Sequence, residues 1–382
     1  LDEAIANGRL LVFADDWGRH PSSCQHLIAE MLPRYQVNWV NTIGMRPPRA
    51  DVATLGRGLQ KVKQWIGGST GATPTPLNLR VLNPRMWPWL GGPAHRWLNK
   101  KLLLGQLNHW IASDSFAPIA ITTIPIVADL MGELYVRRWV YYCVDDFGAW
   151  PGLDQRTLRQ MEERVVGGAD VIIAASAHLR NRLSAMGRPA HLLTHGVDGK
   201  LWNGNEEAIA CPALSKLQPP LVVFWGVIDR RMDVAMINQL AADMTRGTIV
   251  LVGPEADADP ALHTSRRVVR VAPLPIEALP GVAHAAAVLI MPYADLPVTR
   301  AMQPLKLKEY MASGKPAVVR RLPATLEWED CLDLAQTPRE FSNLVRMRIE
   351  GGLPDAQRIA RRRLATEGWP AKALTFERLA LQ

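Results

Sequence analysis

Lys306 and Glu309 are the pair in this 382-residue chain whose types and spacing best suit chemistry. They lie in Gln303-Pro304-Leu305-Lys306-Leu307-Lys308-Glu309-Tyr310-Met311-Ala312-Ser313-Gly314-Lys315-Pro316. Apolar residues at 305, 307, 310 and 311, Gly314 as a stop and Pro316 just beyond predict a helix. Pro304 suits its first turn, where a missing N–H costs nothing. Lys306 and Glu309 then share a face near the N-terminal end. Amide N–H groups there, with a Lys, suit a diphosphate; a Glu one turn on suits the paired hydroxyls of a ribose. The plain alternative is a capped surface helix carrying a Lys–Glu pair.

A second constellation is Asp145-Asp146, at the end of the strand-like run Arg138–Val144. Adjacent like charges can raise one pKa, which suits a general base; the alternative is a helix cap or a loop acid. Gly226 closes the apolar run Leu221–Trp225 and allows close backbone approach. Arg231 follows, ahead of a helix that Asp233 can cap, so a cation faces a helix start where a diphosphate is favoured. Tyr293 ends the run from Val288 and is placed to stack or hydrogen-bond beside these groups. Asp257-Ala258-Asp259 is formally a DxD, but it sits in an acidic loop after Gly253-Pro254 and reads as surface. With no His-rich cluster near Asp145 or Asp146, no metal is expected.

The 304–316 pattern Pro-Leu-Lys-x-x-Glu-Tyr-x-Ala-x-Gly-Lys-Pro resembles the donor-site helix of GT-B glycosyltransferases, especially bacterial family 4-like and related polysaccharide enzymes. The resemblance implies that Glu309 holds a nucleotide ribose and that the helix start, with Lys306, faces the phosphates. It extends to Tyr141 through Asp146, to the helix with Glu162 and Glu163 followed by Ala169-Asp170-Val171 and Ser176, to Gly196-Val197-Asp198, to Gly226 with Arg231 and Asp233, and to Gly253-Pro254. It implies that backbone around Pro273 holds the nucleobase, and that the loop with Asp16, Trp17 and His20 lies in the cleft on the acceptor side. In a related inverting glucuronosyltransferase group, an Asp near 145–146 serves as base. Two departures stand out. His195 occupies a usual Asn position, and Ala301 replaces a second Glu carried by many retaining members. The latter leaves room for an inverting mechanism with a separate base.

Strands are predicted over 9–14, 37–40, 118–124, 138–144, 169–176, 221–226, 248–252, 268–271, 288–293 and 317–319, as short apolar runs fit for buried parallel sheets. Helices are predicted from Ser22 or Ser23 through Leu32, and over 51–66, 158–167, 178–186, 275–285, 338–348 and 355–380. No G-x-G-x-x-G occurs, which argues against a dinucleotide oxidoreductase. The expected class is α/β: with the resemblance, a GT-B fold of two Rossmann-like doubly wound domains, a cleft between them and C-terminal helices crossing back. The expected division is 1–198 for acceptor, a linker over 199–219, 220–350 for donor, and 351–382 packing back on the first domain.

The net charge of +8 favours anionic partners. No zinc-finger or RRM signature accompanies it, so nucleic acid is not expected. Four scattered cysteines without a CxxC fit a reducing cytoplasm. No apolar run reaches the roughly 18–20 residues of a membrane span, and no secretory signal precedes the first strand. Residues 79–111 interleave Trp87, Trp89, Trp97 and Trp110 with Arg and Lys, a pattern suited to an anionic membrane surface. The plain alternative is an amphipathic helix packed on the sheet. The function this resemblance implies is transfer of a sugar from a nucleotide sugar, expected to be UDP-linked, to a glycan or lipid-linked acceptor in cell-surface polysaccharide or glycolipid assembly, without metal. An epimerase of the same fold and a silent binding subunit are the rival readings.

Overall fold

The computed structural model describes residues 8–18, 22–42, 76–112, 117–203 and 211–382. His20 and the predicted helix over 51–66 lie outside the described residues. The chain divides into two compact units: residues through Thr194 together with Ala373–Gln382, and His195–Lys372.

The first unit holds β1 (Gly8–Ala14), β2 (Tyr35–Asn41), β3 (Leu79–Leu82), β4 (Ile119–Thr122), β5 (Arg138–Cys143), β6 (Val171–Ala174) and β7 (His191–Leu192). They form one sheet in the order β3-β2-β1-β4-β5-β6-β7, with parallel pairings. Runs such as Leu10-Leu11-Val12-Phe13-Ala14 are buried throughout, as strands covered on both faces require. Ser22 caps the Ser23–Met31 helix through Gln25 N at 3.3 Å, and Ser176 caps the Ala177–Ala185 helix through Leu179 N at 3.1 Å.

The second unit repeats the plan with β8 (Leu221–Trp225), β9 (Thr248–Val252), β10 (Val268–Val271), β11 (Val288–Met291), β12 (Ala317–Arg320) and β13 (Asp333–Ala335). Its order is β10-β9-β8-β11-β12-β13, again parallel. In each sheet the strand order reverses once: between β1 and β4, and between β8 and β11. Ligands of doubly wound sheets bind beyond the strand ends at that reversal.

The predicted single helix over 355–380 is three pieces: Asp355–Ala360, a 3₁₀ turn over Arg361–Thr366, and Trp369–Leu381. The break is made by Gly368, which pairs with Val197 in a parallel bridge, and by Pro370, which suits a helix start. The last piece ends in the first unit, where Phe376 meets the Tyr142 ring edge-on at 5.5 Å and Glu377 accepts from Tyr35 Oη at 2.7 Å. Among the described residues, no helix is long and apolar enough to cross a membrane.

Candidate functional site

Gly226, Gly253, Tyr293, Lys306 and Glu309 lie together around the end of β8. The predicted helix forms over Leu305–Ala312, preceded by Pro304, which offers no side-chain cap, and Gly314 turns the chain away at φ +72°. The Leu305 and Lys306 amides therefore have no side-chain cap, while Leu307 N donates to Pro304 O at 3.2 Å. Gln303, just upstream, is buried with its Nε2 unbonded.

Lys306 reaches back over the end of β8. Its ammonium bonds the Tyr293 hydroxyl and lies 4.8 Å from the centre of the Phe224 ring and 5.0 Å from that of Tyr293. Gly226 makes this possible: with φ at +135°, a Cβ there would run into the Lys306 ammonium. Gly253 ends β9 at φ +141°, where a Cβ would overlap the Gly226 carbonyl. The two glycines let adjacent strand ends approach beneath the lysine. Lys306 has no carboxylate within ion-pair distance among the described residues.

Glu309 is half-buried, and its Oε2 accepts from Trp225 Nε1 at 3.0 Å. Burial pushes its pKa up, while the indole N–H and the charge of Lys306 act in the opposite direction. Tyr310 supports the pair from below; its hydroxyl donates to Ile290 O at 3.1 Å and accepts from Trp225 N at 3.3 Å.

Arg231 stands differently from its sequence expectation. Its Nε lies 3.0 Å from both carboxylate oxygens of Asp229, and Nη2 lies 2.8 Å from Oδ2, so the cation is neutralised within its own loop. Arg320, at the end of β12, is likewise held by Asp233 at 2.8 Å, and Asp233 caps the Val234–Asp243 helix through Met236 N at 3.1 Å. Lys306, by contrast, has no carboxylate partner among the described residues. Pro273 is exposed in the loop after β10. Asp257 is exposed and ion-paired to Arg230 at 2.9 Å, while Asp259 caps a 3₁₀ turn through Ala261 N, so the DxD is surface.

In the first unit, Asp145 and Asp146 are half-buried just past β5. Beside them lies a buried network that sequence reasoning missed. Arg182 grips Glu162 through Nη1 at 2.6 Å and Nη2 at 2.7 Å, Tyr141 donates to the same carboxylate at 2.7 Å, and Arg182 Nε lies 3.6 Å from Asp146 Oδ2. Burial, with the nearby Glu162, pushes the pKa of the Cys143 thiol well above its usual range. The loop after β1 is pinned: Trp17 N donates to Asn41 Oδ1 at 3.0 Å, and Gln25 Nε2 donates to Asp16 O at 3.3 Å. Among the described residues no three His, Cys, Asp or Glu side chains are grouped to hold a metal.

The Trp-rich segment is a strand, a loop and the Pro93–Ala112 helix, not one amphipathic helix. Trp87 and Trp89 lie 5.0 Å apart, and with Trp97 they are exposed. Arg96 is paired with Asp129 and Lys100 with Glu133, whereas Arg80, Arg85 and Lys101 are exposed.

No family model matches the chain. Over 213 residues it is 28% identical to the protein described as "Putative teichuronic acid biosynthesis glycosyltransferase TuaH" of Bacillus subtilis (strain 168). That match covers 51% of this chain and 54% of the relative, so the chain spans about half the length of the curated relative it matches. Sucrose-phosphate synthase from Thermosynechococcus elongatus superposes with a TM-score of 0.70 at 16% identity, over 97% of this chain and 98% of that one. Anabaena Alr3699/HepE, solved in complex with UDP and glucose, gives 0.62 at 16% identity, over 97% and 95%. With its two parallel sheets, each reversing once, the chain has the fold of the GT-B glycosyltransferases.

Proposed function

We propose that the chain is a glycosyltransferase that moves a sugar from a UDP-linked donor to a glycan or lipid-linked acceptor in cell-surface polysaccharide or glycolipid assembly. The observation that carries the reading is the 305–312 helix: an ammonium without a carboxylate partner among the described residues, the Leu305 and Lys306 amides without a side-chain cap, and a half-buried carboxylate, all at a sheet reversal. The UDP and glucose of the HepE complex and the description of TuaH support it.

In this reading Glu309 accepts from the ribose hydroxyls, and the diphosphate lies against Lys306 and the helix start. Backbone at Gly226, Gly253 and Pro273 admits the rest of the nucleotide, and Tyr293 orients Lys306. Arg231 serves through its ion pair with Asp229 as a brace for the loop. The acceptor oxygen attacks the anomeric carbon, its proton passes to Asp145 or Asp146, and the bond to the diphosphate breaks. The helix amides and Lys306 stabilise the departing charge. The loop holding Asp16 and Trp17, with His20 beyond it, is assigned to the acceptor.

A thermal-shift panel of UDP, GDP, ADP and CMP tests the donor assignment. UDP at about 100 times its dissociation constant should add about 2.7 kcal/mol, roughly 5–10 °C in Tm for a domain of this size. Glu309→Ala should abolish the shift. Equal shifts with all four nucleotides, or an unchanged shift in the variant, would contradict it.

The exposed Trp87, Trp89 and Trp97, with the nearby cations Arg85 and Lys101, fit the surface of an anionic membrane. Co-sedimentation with phosphatidylglycerol vesicles should therefore occur at low salt and weaken at high salt. Absence of pelleting at low salt would remove this part of the reading.

A further inference from the structure

We infer that Trp225 is a positioning residue for Glu309: its indole N–H fixes the carboxylate so that Oε1 and the remaining lone pair of Oε2 face a ligand diol. The inference rests on the donor reading above and adds to it the residue that makes a ribose, with both hydroxyls, a condition of binding.

The indole is held on several sides. Trp202 stacks on it at 5.5 Å with the planes 7° apart, Tyr310 meets it edge-on at 4.4 Å, and its backbone N–H bonds the Tyr310 hydroxyl. Trp225 is 4% exposed, so its ring has no freedom to follow the carboxylate; the carboxylate must follow the ring. Glu309 Oε2 takes the indole hydrogen at 3.0 Å, and Oε1 accepts from no donor among the described residues. A carboxylate held at one oxygen by a rigid donor loses its rotational freedom about the last side-chain bond, which a diol would otherwise have to freeze on binding.

The plainer account, that Glu309 exists to satisfy a buried indole, does not fit the rest of the chain. Trp39 Nε1 is satisfied by a backbone carbonyl, that of Asp15 at 3.0 Å. The indole nitrogens of Trp139 and Trp328 are buried without any acceptor among the described residues. The fold thus meets or omits this need without a carboxylate. A half-buried carboxylate is a costly partner for an indole, since burial disfavours its charge. Its free oxygen is what gives the arrangement a use.

The test compares UDP with 2′,3′-dideoxy-UDP on the full chain by calorimetric titration. Wild type should bind UDP about 10–100-fold more tightly than the dideoxy form, the range expected when a charged acceptor loses its hydroxyl donors. Trp225→Phe keeps an aromatic ring against Trp202 and Tyr310 while removing the N–H together with part of the indole's bulk, which the dideoxy ligand controls for. It should weaken UDP about tenfold, leave the dideoxy form unchanged, and so narrow the ratio. In a Glu309→Gln background the same change should have no further effect on the ratio; where Trp225→Phe folds poorly, Trp202→Phe, which loosens the stack but keeps the Trp225 N–H, should narrow the ratio instead. Equal weakening of both ligands, or an unchanged ratio, overturns the inference. Failure of wild type to bind UDP at all would instead remove the donor reading on which it rests.

Discussion

Asp145→Asn and Asp146→Asn, made separately, should divide into one variant that loses about 10²–10⁴-fold in turnover and one that keeps most of it. The acceptor hydroxyl must give up a proton as it attacks, and an amide cannot take it. Both carboxylates stand half-buried at the end of β5, but their surroundings differ. Asp146 lies 3.6 Å from Arg182 Nε, so its replacement also removes a charge partner from the network behind it. A fall in Tm should accompany Asp146→Asn. Neither change should alter the UDP-dependent shift, because the donor groups lie in the second unit. Wild-type turnover in both variants would mean that the base lies elsewhere.

The second large effect is on stability. Arg182 binds Glu162 through two nitrogens, and the Glu162 side chain is 5% exposed. Arg182→Met would leave that carboxylate buried with Tyr141 as its remaining strong donor. Breaking a buried pair by removing one partner costs about 3–5 kcal/mol, or roughly 6–20 °C in Tm for a unit of this size. Adding Glu162→Leu to Arg182→Met should recover part of the loss, since no charge is then left buried. A single variant that melts within a degree or two of wild type would contradict this account of the network.

What could be read from the sequence follows from the range of the interactions. The 305–312 helix was legible because its signals are local: Pro304 before it, Gly314 after it at positive φ, and an apolar stripe between. The strands were legible because parallel strands buried on both faces are unbroken apolar runs. The partners of the site residues were not. Trp225 and Glu309 are 84 residues apart, and Glu162 and Arg182 are 20 apart on separate helices. The pairing of Arg231 with Asp229 was within reach, being two residues away, but a cation facing a helix start looked sufficient without it. One signal for Trp225 did exist: an indole ending a buried strand usually finds an acceptor. The break at Gly368 was hidden because its cause, a bridge to Val197, is 171 residues distant.

The measurement that tests the central claim most directly is nucleotide release from a panel of UDP-, GDP-, ADP- and CMP-sugars, with bacterial membrane extract as acceptor and isotope in the sugar. The account predicts release of UDP matched by isotope entering the glycan or lipid fraction, with both lost in Glu309→Ala and in the Asp variant that lacks the base. UDP binding without release from any sugar, or release without isotope in an acceptor, would contradict it.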